Sequence, residues 1–237
     1  MKRISVDIGG TFTDCFLVWD NKYIETKALT THQNLALGFN EAVEKAYSEL
    51  NITMEEILSE VDSVRYATTL GTNALIEHKG PRMGMLVTAG FEATVPLSRA
   101  RGYGEGLDKL GKANLPDARR PDPLVLPNMI EGVRERLDFE GKVVMPLNED
   151  DVRLKIRTLF DKGAQVIVIC FVNSVVNPMN EKRVEQIILE EYPSHLLGAI
   201  PVILSHRVAG RKGEYVRASS AVVDGYLHST MYHAMTQ

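Results

Sequence analysis

The chain has little cysteine, little tryptophan and no large excess of charge of either sign among its 237 residues. The two cysteines, Cys15 and Cys170, each lie in a predicted strand; they imply no disulfide framework, which fits a reducing cytoplasm. A formal net charge of -4 gives no indication of a basic surface for nucleic acid. No apolar run is long enough to span a bilayer, and the N-terminus lacks a signal-peptide pattern. These absences predict a cytoplasmic protein without a nucleic-acid or membrane partner.

Several site signatures are missing as well. The six histidines show no metal-ligand spacing: His228 and His233 lie five residues apart, whereas a helical zinc pair has the i, i+4 spacing. No GxxxxGK[ST] loop occurs. Gly102, Gly104 and Gly106 do not have the spacing of a dinucleotide-binding fingerprint. The sequence therefore disfavours a Walker-type ATPase and a Rossmann dehydrogenase.

Strand and helix patterns alternate along most of the chain. Apolar–polar alternation at Ile4–Ile8, Phe12–Trp19 and Tyr23–Lys27 predicts three antiparallel strands joined by short turns. Later apolar runs, separated by amphipathic helices, predict strands at 64–67, 83–87, 166–172 and 200–204. Together they predict an α/β fold, a mixed sheet with an antiparallel three-strand start and flanking helices.

Cap signals predict where helices begin and end. Thr53 with Glu56 forms a capping-box pattern at the start of a short helix. Asn148 is expected to cap a helix that Gly163 ends. Pro178 is expected at the first position of the next helix, where the missing amide proton costs nothing.

The chain is predicted to consist of a core and an excursion. Glycine- and proline-rich residues 102–127 predict a surface excursion or insertion covering about 91–147, with a hairpin turn at Glu140-Gly141. The core then covers about 1–90 and 148–237. The helix that begins at Glu214 reaches the end of the sequence without a capping glycine, so we expect an N-terminal lobe of a longer subunit.

The segment VDIGGTFTD near the start is the first candidate site. Gly9 and Gly10 lack Cβ atoms, so their amides can approach a ligand and take positive φ angles, and successive amides in such a turn bind anions. Thr11 and Thr13 add hydroxyl donors. Asp7 is the candidate catalytic residue and ligand of a hydrated Mg²⁺ (or Mn²⁺); the second aspartate of the segment need not face the same way. A plain Gly-Gly hairpin with solvent-facing aspartates is an equally simple interpretation.

A second polar turn follows the predicted strand at 64–67. Thr68, Thr69, Gly71, Thr72 and Asn73 lie at its carboxyl end, where ligands of α/β sheets gather. These residues are therefore candidate phosphate contacts. An ordinary helix N-cap explains them equally well.

Other polar residues carry weaker patterns. Arg99, Arg101 and Tyr103 are candidate contacts for a substrate or partner, although a solvated loop explains them better. Glu214 and Arg217 lie one helical turn apart and predict a surface ion pair.

Several segments, taken in order, resemble motifs of the hydantoinase A / 5-oxoprolinase family, part of the actin–hexokinase–heat-shock ATPase superfamily. VDIGGTFTD is similar to the D-x-G-G-T-x-T-D phosphate motif of that family. Further similar stretches are ATTLGTNALIEHKG (67–80), LVTAGFEATVPLSR (86–99), RERLDFEGKVVMPLNEDDV (134–152), VNSVVNPMNEKRV (172–184) and GEYVRASSAVVDGYL (213–227). The resemblance covers nearly all of the chain.

The resemblance implies a ribonuclease-H-like sheet in one lobe of a two-lobe ATPase. Asp7, Gly9, Gly10, Thr11 and Thr13 carry over as phosphate and metal contacts. Members of the family use ATP to hydrolyse cyclic amides or to carboxylate ketones. This implies ATP-driven phosphorylation of a carbonyl or enol oxygen. The implied partners are the C-terminal lobe of the same subunit and a hydantoinase B-type subunit.

The subtype and two other functions stay open at this point. RARGYGEG and VAGRKGEYVRAS look most like the acetophenone carboxylase type, with a cyclic amide hydrolase as the alternative. The chain alone, holding half a nucleotide site, is expected to be inactive. A non-catalytic lobe that docks a partner through residues 100–127 is an alternative of another class, and a small-molecule kinase fits the motifs after residue 67 less well.

Overall fold

The computed structural model of the protein describes residues 1–98, 104, 106–114, 122–193 and 200–236. It divides into two compact units: Met1–Lys79 with the residues from Ser229 onward, and Gly80–His228. None of the described helices is long and apolar enough to cross a bilayer.

The first unit is built on one mixed four-stranded sheet. Its elements in chain order are β1 (Lys2–Ile8), β2 (Phe12–Trp19), β3 (Lys22–Leu29), α1 (Leu35–Ser48), α2 (Met54–Glu60), β4 (Ser63–Thr68) and α3 (Leu70–Ile76). The strand order is β3–β2–β1–β4, with β1 antiparallel to β2 and parallel to β4. This arrangement confirms the predicted mixed sheet with an antiparallel three-strand start and flanking helices.

The two faces of this sheet differ because side chains alternate along each strand. Ile4, Val6 and Leu17 are buried on one face and belong to a hydrophobic cluster that includes Val43 of α1. The other face carries more polar and exposed side chains, among them Phe16, which is 43% exposed. A shift of one residue in strand register would move the buried side chains to the exposed face and the exposed ones to the buried face. The burial of one face therefore fixes which side chains lie on the other.

The second unit contains a parallel four-stranded sheet and a two-stranded hairpin. Its elements are β5 (Met83–Thr88), α4 (Thr94–Leu97), α5 (Lys109–Ala113), β6 (Ile130–Val133), β7 (Arg136–Leu137), β8 (Val143–Met145), α6 (Glu149–Asp161), β9 (Val166–Cys170), α7 (Met179–Glu191), β10 (Val202–Leu204), α8 (Ser205–Val208) and α9 (Glu214–Thr236). The sheet order is β10–β9–β5–β6, and β5 and β9 are buried along their whole length. Continuous apolar runs of this kind are typical of parallel strands covered on both faces.

Most local signals for helix ends are confirmed. Thr53 and Glu56 form the capping box, Asn148 accepts a hydrogen bond from the Asp151 amide, and Gly163 has φ +85° after α6. Pro178 differs from its prediction: it lies at the N-cap position instead of the first helical position.

One segment departs from the predicted layout. Strand β6 lies inside the predicted excursion at 91–147 and pairs in parallel with β5. The sequence does not predict a strand there, because the run Ile130–Val133 is short and contains glycine. The predicted lobe and insertion boundaries stay a prediction.

Candidate functional site

The Gly9–Gly10 turn connects β1 to β2. The Gly9 amide donates to the Phe12 carbonyl oxygen at 3.0 Å and closes the turn. Thr30 holds the turn from the end of β3: its amide donates to the Thr11 carbonyl at 2.9 Å, and its hydroxyl donates to the Gly9 carbonyl at 2.9 Å. Within the described residues, no hydrogen bond uses the amides of Gly10 and Thr11, and both residues are exposed. The turn therefore presents two adjacent backbone donors at its tip.

The two glycines serve the turn differently from the prediction. Neither Gly9 nor Gly10 has a positive φ, so the expected left-handed conformation is absent. A Cβ on Gly9 would lie 3.1 Å from the Phe12 oxygen, so glycine there lets the turn close. A Cβ on Gly10 would have Asn73 Nδ2, at 3.8 Å, as its nearest neighbour. The fold itself does not require glycine at this second position, which suits close approach of a ligand to the backbone.

The two threonines of the segment lie in different environments. Thr11 is exposed beside the turn, whereas Thr13 is fully buried. Thr13 Oγ1 lies 3.1 Å from the Thr30 hydroxyl, which in turn bonds the Gly9 carbonyl. This geometry makes Thr13 a support beneath the turn and disfavours its predicted direct contact with phosphate.

Asp7 and Asp14 are direct cross-strand neighbours in the β1–β2 pair. Opposite residues of an antiparallel pair project to the same face, so Asp7 and Asp14 lie on the same side of the sheet. Lys27 Nζ lies 3.0 Å from Asp14 Oδ1 and balances that charge. On the other side of Asp7, β4 places the small side chain of Ala67 opposite it. A cavity of about 570 Å³ on this face includes both aspartates in its lining.

The second polar turn lies at the same edge of the sheet as the first. β4 is parallel to β1 and places Thr68 opposite Ile8, so the two strands end together. The Thr68 hydroxyl donates to the Ile8 carbonyl at 3.1 Å and accepts from the Leu70 amide at 3.2 Å. This threonine therefore ties the start of α3 to the strand that carries Asp7.

The other residues predicted in this turn surround the start of α3. Thr69 occupies the N-cap position but makes no capping hydrogen bond, so the simple N-cap interpretation does not account for it. Asn73 Nδ2 donates to the Thr69 hydroxyl at 3.4 Å and lies beside Gly10. Thr69 and Thr72 are exposed and Gly71 is half-buried. The structure thus brings the two predicted turns together within the first unit.

The donors and acceptors at this edge suit a phosphate chain with a divalent cation. The described residues contain no group of three or more His, Cys, Asp and Glu side chains placed to hold a metal by themselves. Mg²⁺ commonly binds through one or two carboxylates, with water and substrate phosphates filling its other positions. Asp7, with Asp14 opposite, provides carboxylate oxygens of this kind.

A buried charge network in the second unit was not predicted. Glu181 is fully buried and accepts hydrogen bonds from the Phe171 amide at 3.0 Å, the Ser205 hydroxyl at 2.6 Å and His206 Nδ1 at 2.6 Å. Arg217 is also fully buried; its Nε donates to Ser205 Oγ at 3.1 Å and its Nη2 to the Phe171 carbonyl at 2.7 Å. Ser205 therefore links a buried guanidinium to a buried carboxylate.

The predicted surface ion pair between Glu214 and Arg217 is wrong in its location. Arg217 is fully buried, and its Nη2 lies 3.7 Å from the half-exposed carboxylate of Glu214. A spacing of one helical turn gave no indication of burial, because the residues that enclose Arg217 come from other elements. Arg99, Arg101 and Tyr103 lie outside the described residues.

The pKa values of two buried glutamates in this unit, Glu181 and Glu135, are shifted in opposite directions. Burial works to raise the pKa of Glu181, but hydrogen bonds from His206, Ser205, Ser174 and the Phe171 amide outweigh it and hold that pKa below its ordinary value. Burial raises the pKa of Glu135. Where the structure describes the chain, the Glu135 carboxylate accepts from two neutral side chains, the Thr88 hydroxyl and the Asn180 amide, so its charge is less well compensated.

Neither cysteine is suited to nucleophilic catalysis. Cys15 and Cys170 are both buried, and burial raises the pKa of each thiol to about 11. The thiolate form is the nucleophile, and it is scarce at neutral pH for such groups.

The chain matches a known protein family over most of its length. The model of the hydantoinase/oxoprolinase N-terminal region matches residues 3–192. The chain is 42% identical over 231 residues to the acetophenone carboxylase gamma subunit of Aromatoleum aromaticum, covering 98% of this chain and 32% of that protein. A relative of this kind is about three times as long, so the chain spans roughly a third of its length.

Solved structures show the same relationship. A nucleotide-free structure of acetone carboxylase, from work on ATP-dependent acetone carboxylation, matches with a TM-score of 0.90 at 31% identity, over 100% of this chain and 34% of the other. The ATP-dependent caprolactamase of Pseudomonas jessenii matches with a TM-score of 0.76 at 28% identity, over 98% and 32% of the two chains. The match over residues 3–192 and these relatives show that the chain belongs to the hydantoinase/oxoprolinase N-terminal region family.

Proposed function

We propose that this chain is the phosphate-binding lobe of an ATP-dependent ketone carboxylase subunit of the acetophenone carboxylase type. One observation carries the proposal: the exposed tip of the Gly9–Gly10 turn lies beside Asn73, at the strand edge next to Asp7. Backbone donors, an amide side chain and a carboxylate for a cation are the groups that bind a nucleotide's phosphates. The 42% identity to an acetophenone carboxylase subunit favours the ketone as the second substrate.

Each residue at the turn has a distinct proposed role. The amides of Gly10 and Thr11 donate to phosphate oxygens, and the Thr11 and Thr69 hydroxyls and the Asn73 side chain add donors beside them. Asp7 holds Mg²⁺ or Mn²⁺, which when bound supplies positive charge that neutralises the phosphates. Gly71 and Thr72 complete the second turn, and Thr13 supports the first from beneath.

The proposed reaction is phosphoryl transfer to the oxygen of the enolised ketone. The α-carbon of the ketone releases a proton to solvent, and the enolate oxygen forms a bond to the γ-phosphorus. The bond between that phosphorus and the β,γ-bridging oxygen breaks, giving ADP and an enol phosphate. In such a transfer positioning and charge stabilisation supply most of the catalysis, so no protein nucleophile is required.

Further parts are needed for the complete activity. We propose the C-terminal lobe of the same subunit as the other half of the nucleotide site, and a hydantoinase B-type subunit as the partner that completes the reaction. This chain by itself is proposed to be inactive. The two isolated, buried cysteines suit the reducing cytoplasm as its compartment.

A cyclic amide hydrolase is the second candidate function. The match to an ATP-dependent caprolactamase, with a TM-score of 0.76, supports it. In that case the phosphoryl group activates an amide carbonyl instead of an enolate. ADP release by the full-length protein with its partner subunits, measured with acetophenone, acetone, hydantoin, 5-oxoproline and caprolactam in parallel, separates the two candidates.

Replacing the Asp7 carboxylate tests the proposed site. In the full-length protein, Asp7→Asn should weaken Mg²⁺-dependent ATP binding and lower ATP turnover by about tenfold or more, since one lost charge-assisted contact of about 1.5–3 kcal/mol has this effect. Asp20→Asn is the matched control, because Asp20 lies in the next turn and has a φ of 55° that asparagine also adopts. Equal ATP affinity in the two variants would refute the role of Asp7.

A further inference from the structure

A cavity of about 350 Å³ lies in the first unit, separate from the open sheet face that carries Asp7. Its polar lining includes His32, Thr230 and His233, and its apolar lining consists of Leu35, Leu70 and Ala234. Leu35 is buried at 7% exposure, and Leu70 and Ala234 pack against the same hydrophobic cluster. His32 and His233 are exposed. The cavity thus has a hydrocarbon floor and a polar rim, which is the usual composition of a small-molecule site.

The lining of this cavity is continuous with the residues that hold the phosphate turn. Leu70 directly follows Thr69 and donates its amide to Thr68, whose hydroxyl bonds the end of β1. His32 follows Thr31 and lies two residues after Thr30, which bonds the Gly9 carbonyl. The same two chain segments therefore support the turn and line the cavity.

We propose that this cavity binds the neutral carbonyl substrate that accepts the phosphoryl group. The inference rests on the proposed function and names the place in the first unit where the second substrate is held. Among the described residues that line the cavity, the ionisable side chains are the two imidazoles, and none of these lining residues is a carboxylate or an ammonium partner for a charged ligand. Imidazole and hydroxyl groups donate hydrogen bonds to a carbonyl oxygen, while the leucine and alanine side chains contact hydrocarbon.

The size of the cavity agrees with a small substrate. Its volume of about 350 Å³ lies near the lower end of small-molecule pockets, which range over about 300–1,000 Å³. The proposed ligand is a neutral carbonyl compound. Two classes of such compounds, aryl ketones and cyclic amides, are compared in the experiment. The similarity to acetophenone carboxylase makes the aryl ketone the primary ligand to test.

Ala234→Leu narrows the cavity without removing any polar group. Ala234 lies in α9 and is half-buried, and leucine is also a good helix former, so the helix should persist. Met235→Leu is the matched control, since Met235 is the next residue, is 75% exposed and does not line the cavity. Circular dichroism melting verifies folding, and Thr230→Val, which removes one hydroxyl at nearly constant volume, is used if Ala234→Leu melts early.

Two readouts are measured on the full-length protein with its partner subunits. The first is the dissociation constant of acetophenone without nucleotide, obtained by saturation-transfer NMR. The second is the KM for acetophenone and for ATP in ketone-dependent ADP release. We expect Ala234→Leu to raise the dissociation constant and the KM for acetophenone by about tenfold, the factor that corresponds to about 1.4 kcal/mol, with the KM for ATP unchanged. Met235→Leu should alter neither readout.

The outcomes separate this inference from the proposed function. If the wild type releases ADP with acetophenone and Ala234→Leu leaves both ketone constants unchanged, the cavity assignment is overturned and the function stands. If no carbonyl compound stimulates ADP release but Ala234→Leu still abolishes acetophenone binding, the function fails and the binding site stands. The same selective loss with hydantoin or caprolactam in place of acetophenone supports the cavity with a cyclic amide as ligand.

Discussion

Replacing Glu181 with glutamine should weaken the second unit more than its size suggests. The Glu181 carboxylate accepts from the Phe171 and His206 amides, the Ser205 hydroxyl and His206 Nδ1, over distances of 2.6–3.2 Å. Through Ser205 it also faces the buried guanidinium of Arg217. A glutamine side chain keeps the shape but turns one acceptor oxygen into an NH₂ donor, which then meets donor groups of the protein.

The magnitude follows from these contacts. Hydrogen bonds to a charged group contribute about 1.5–3 kcal/mol each. Each carboxylate oxygen of Glu181 accepts two of them, and Glu181→Gln replaces one of these oxygens with a donor, so we expect a decrease in unfolding free energy of about 3–5 kcal/mol. For a domain of about 150 residues this corresponds to a melting temperature lower by on the order of 10 °C.

Urea titration and thermal melting, followed by circular dichroism, measure the effect. Glu185→Gln is the control, since Glu185 lies one turn further along α7 and pairs with Arg207 at the surface, where an ion pair contributes at most about 1 kcal/mol. Because the folded state lowers the pKa of Glu181, its contribution is present above the ordinary value of 4.5 and is lost as pH falls below it. Equal stability of the two variants at pH 7 would refute this account of the network.

Three other substitutions test separate parts of the structure. Gly10→Ala should fold with wild-type stability, because the nearest atom to the added Cβ is Asn73 Nδ2 at 3.8 Å, yet it should weaken nucleotide binding measured by calorimetry; unchanged affinity would contradict the close approach of phosphate. Gly38→Ala should lower the urea unfolding free energy by about 1–3 kcal/mol, since its Cβ would lie 2.7 Å from the Leu29 carbonyl oxygen. Glu135→Gln removes a carboxyl whose pKa is raised, so the wild type should gain stability relative to the variant as pH falls through that raised pKa; a constant difference between pH 8 and pH 4 would argue against it.

Local signals predicted the parts of the fold whose causes lie within a few residues. The alternation in Phe12–Trp19 marks β2 at its observed bounds, because strand periodicity needs only the segment itself. The capping box at Thr53 and Glu56 likewise depends on groups three residues apart. The position of Asp7 at the end of a strand, beside a glycine turn, follows from the same local reasoning.

Features set by distant partners could not be predicted in this way. Arg217 is buried because it bonds the Phe171 carbonyl, 46 residues earlier in the chain, and no periodicity within α9 indicates that contact. Strand β6 exists because β5 offers it a parallel edge. Thr13 is fully buried, and its hydroxyl lies beside that of Thr30, 17 residues later in the chain. Its type and position in the motif therefore predicted a ligand contact that its burial disfavours.

A threonine at the carboxyl end of a parallel strand fastens that strand to its neighbour in each unit. In the first unit the Thr68 hydroxyl donates to the Ile8 carbonyl and joins β4 to β1. In the second, Thr88 Oγ1 accepts from the Val172 amide at 2.9 Å and donates to Glu135, which joins β5 to the segment after β9. Strand ends of this kind are where α/β sheets bind ligands.

The sheet edges of the two units differ in which backbone amides already donate hydrogen bonds within the protein. After β9, the Phe171 amide bonds Glu181 and the Val172 amide bonds Thr88, so these backbone donors serve the protein's own buried carboxylate and hydroxyl. After β1, the Gly9 amide closes the turn, but within the described residues the amides of Gly10 and Thr11 have no such acceptor. An incoming anion would have to displace internal bonds at the second unit's edge and none at the first. The difference in displaced bonds therefore favours phosphate binding at the Gly9–Gly10 turn.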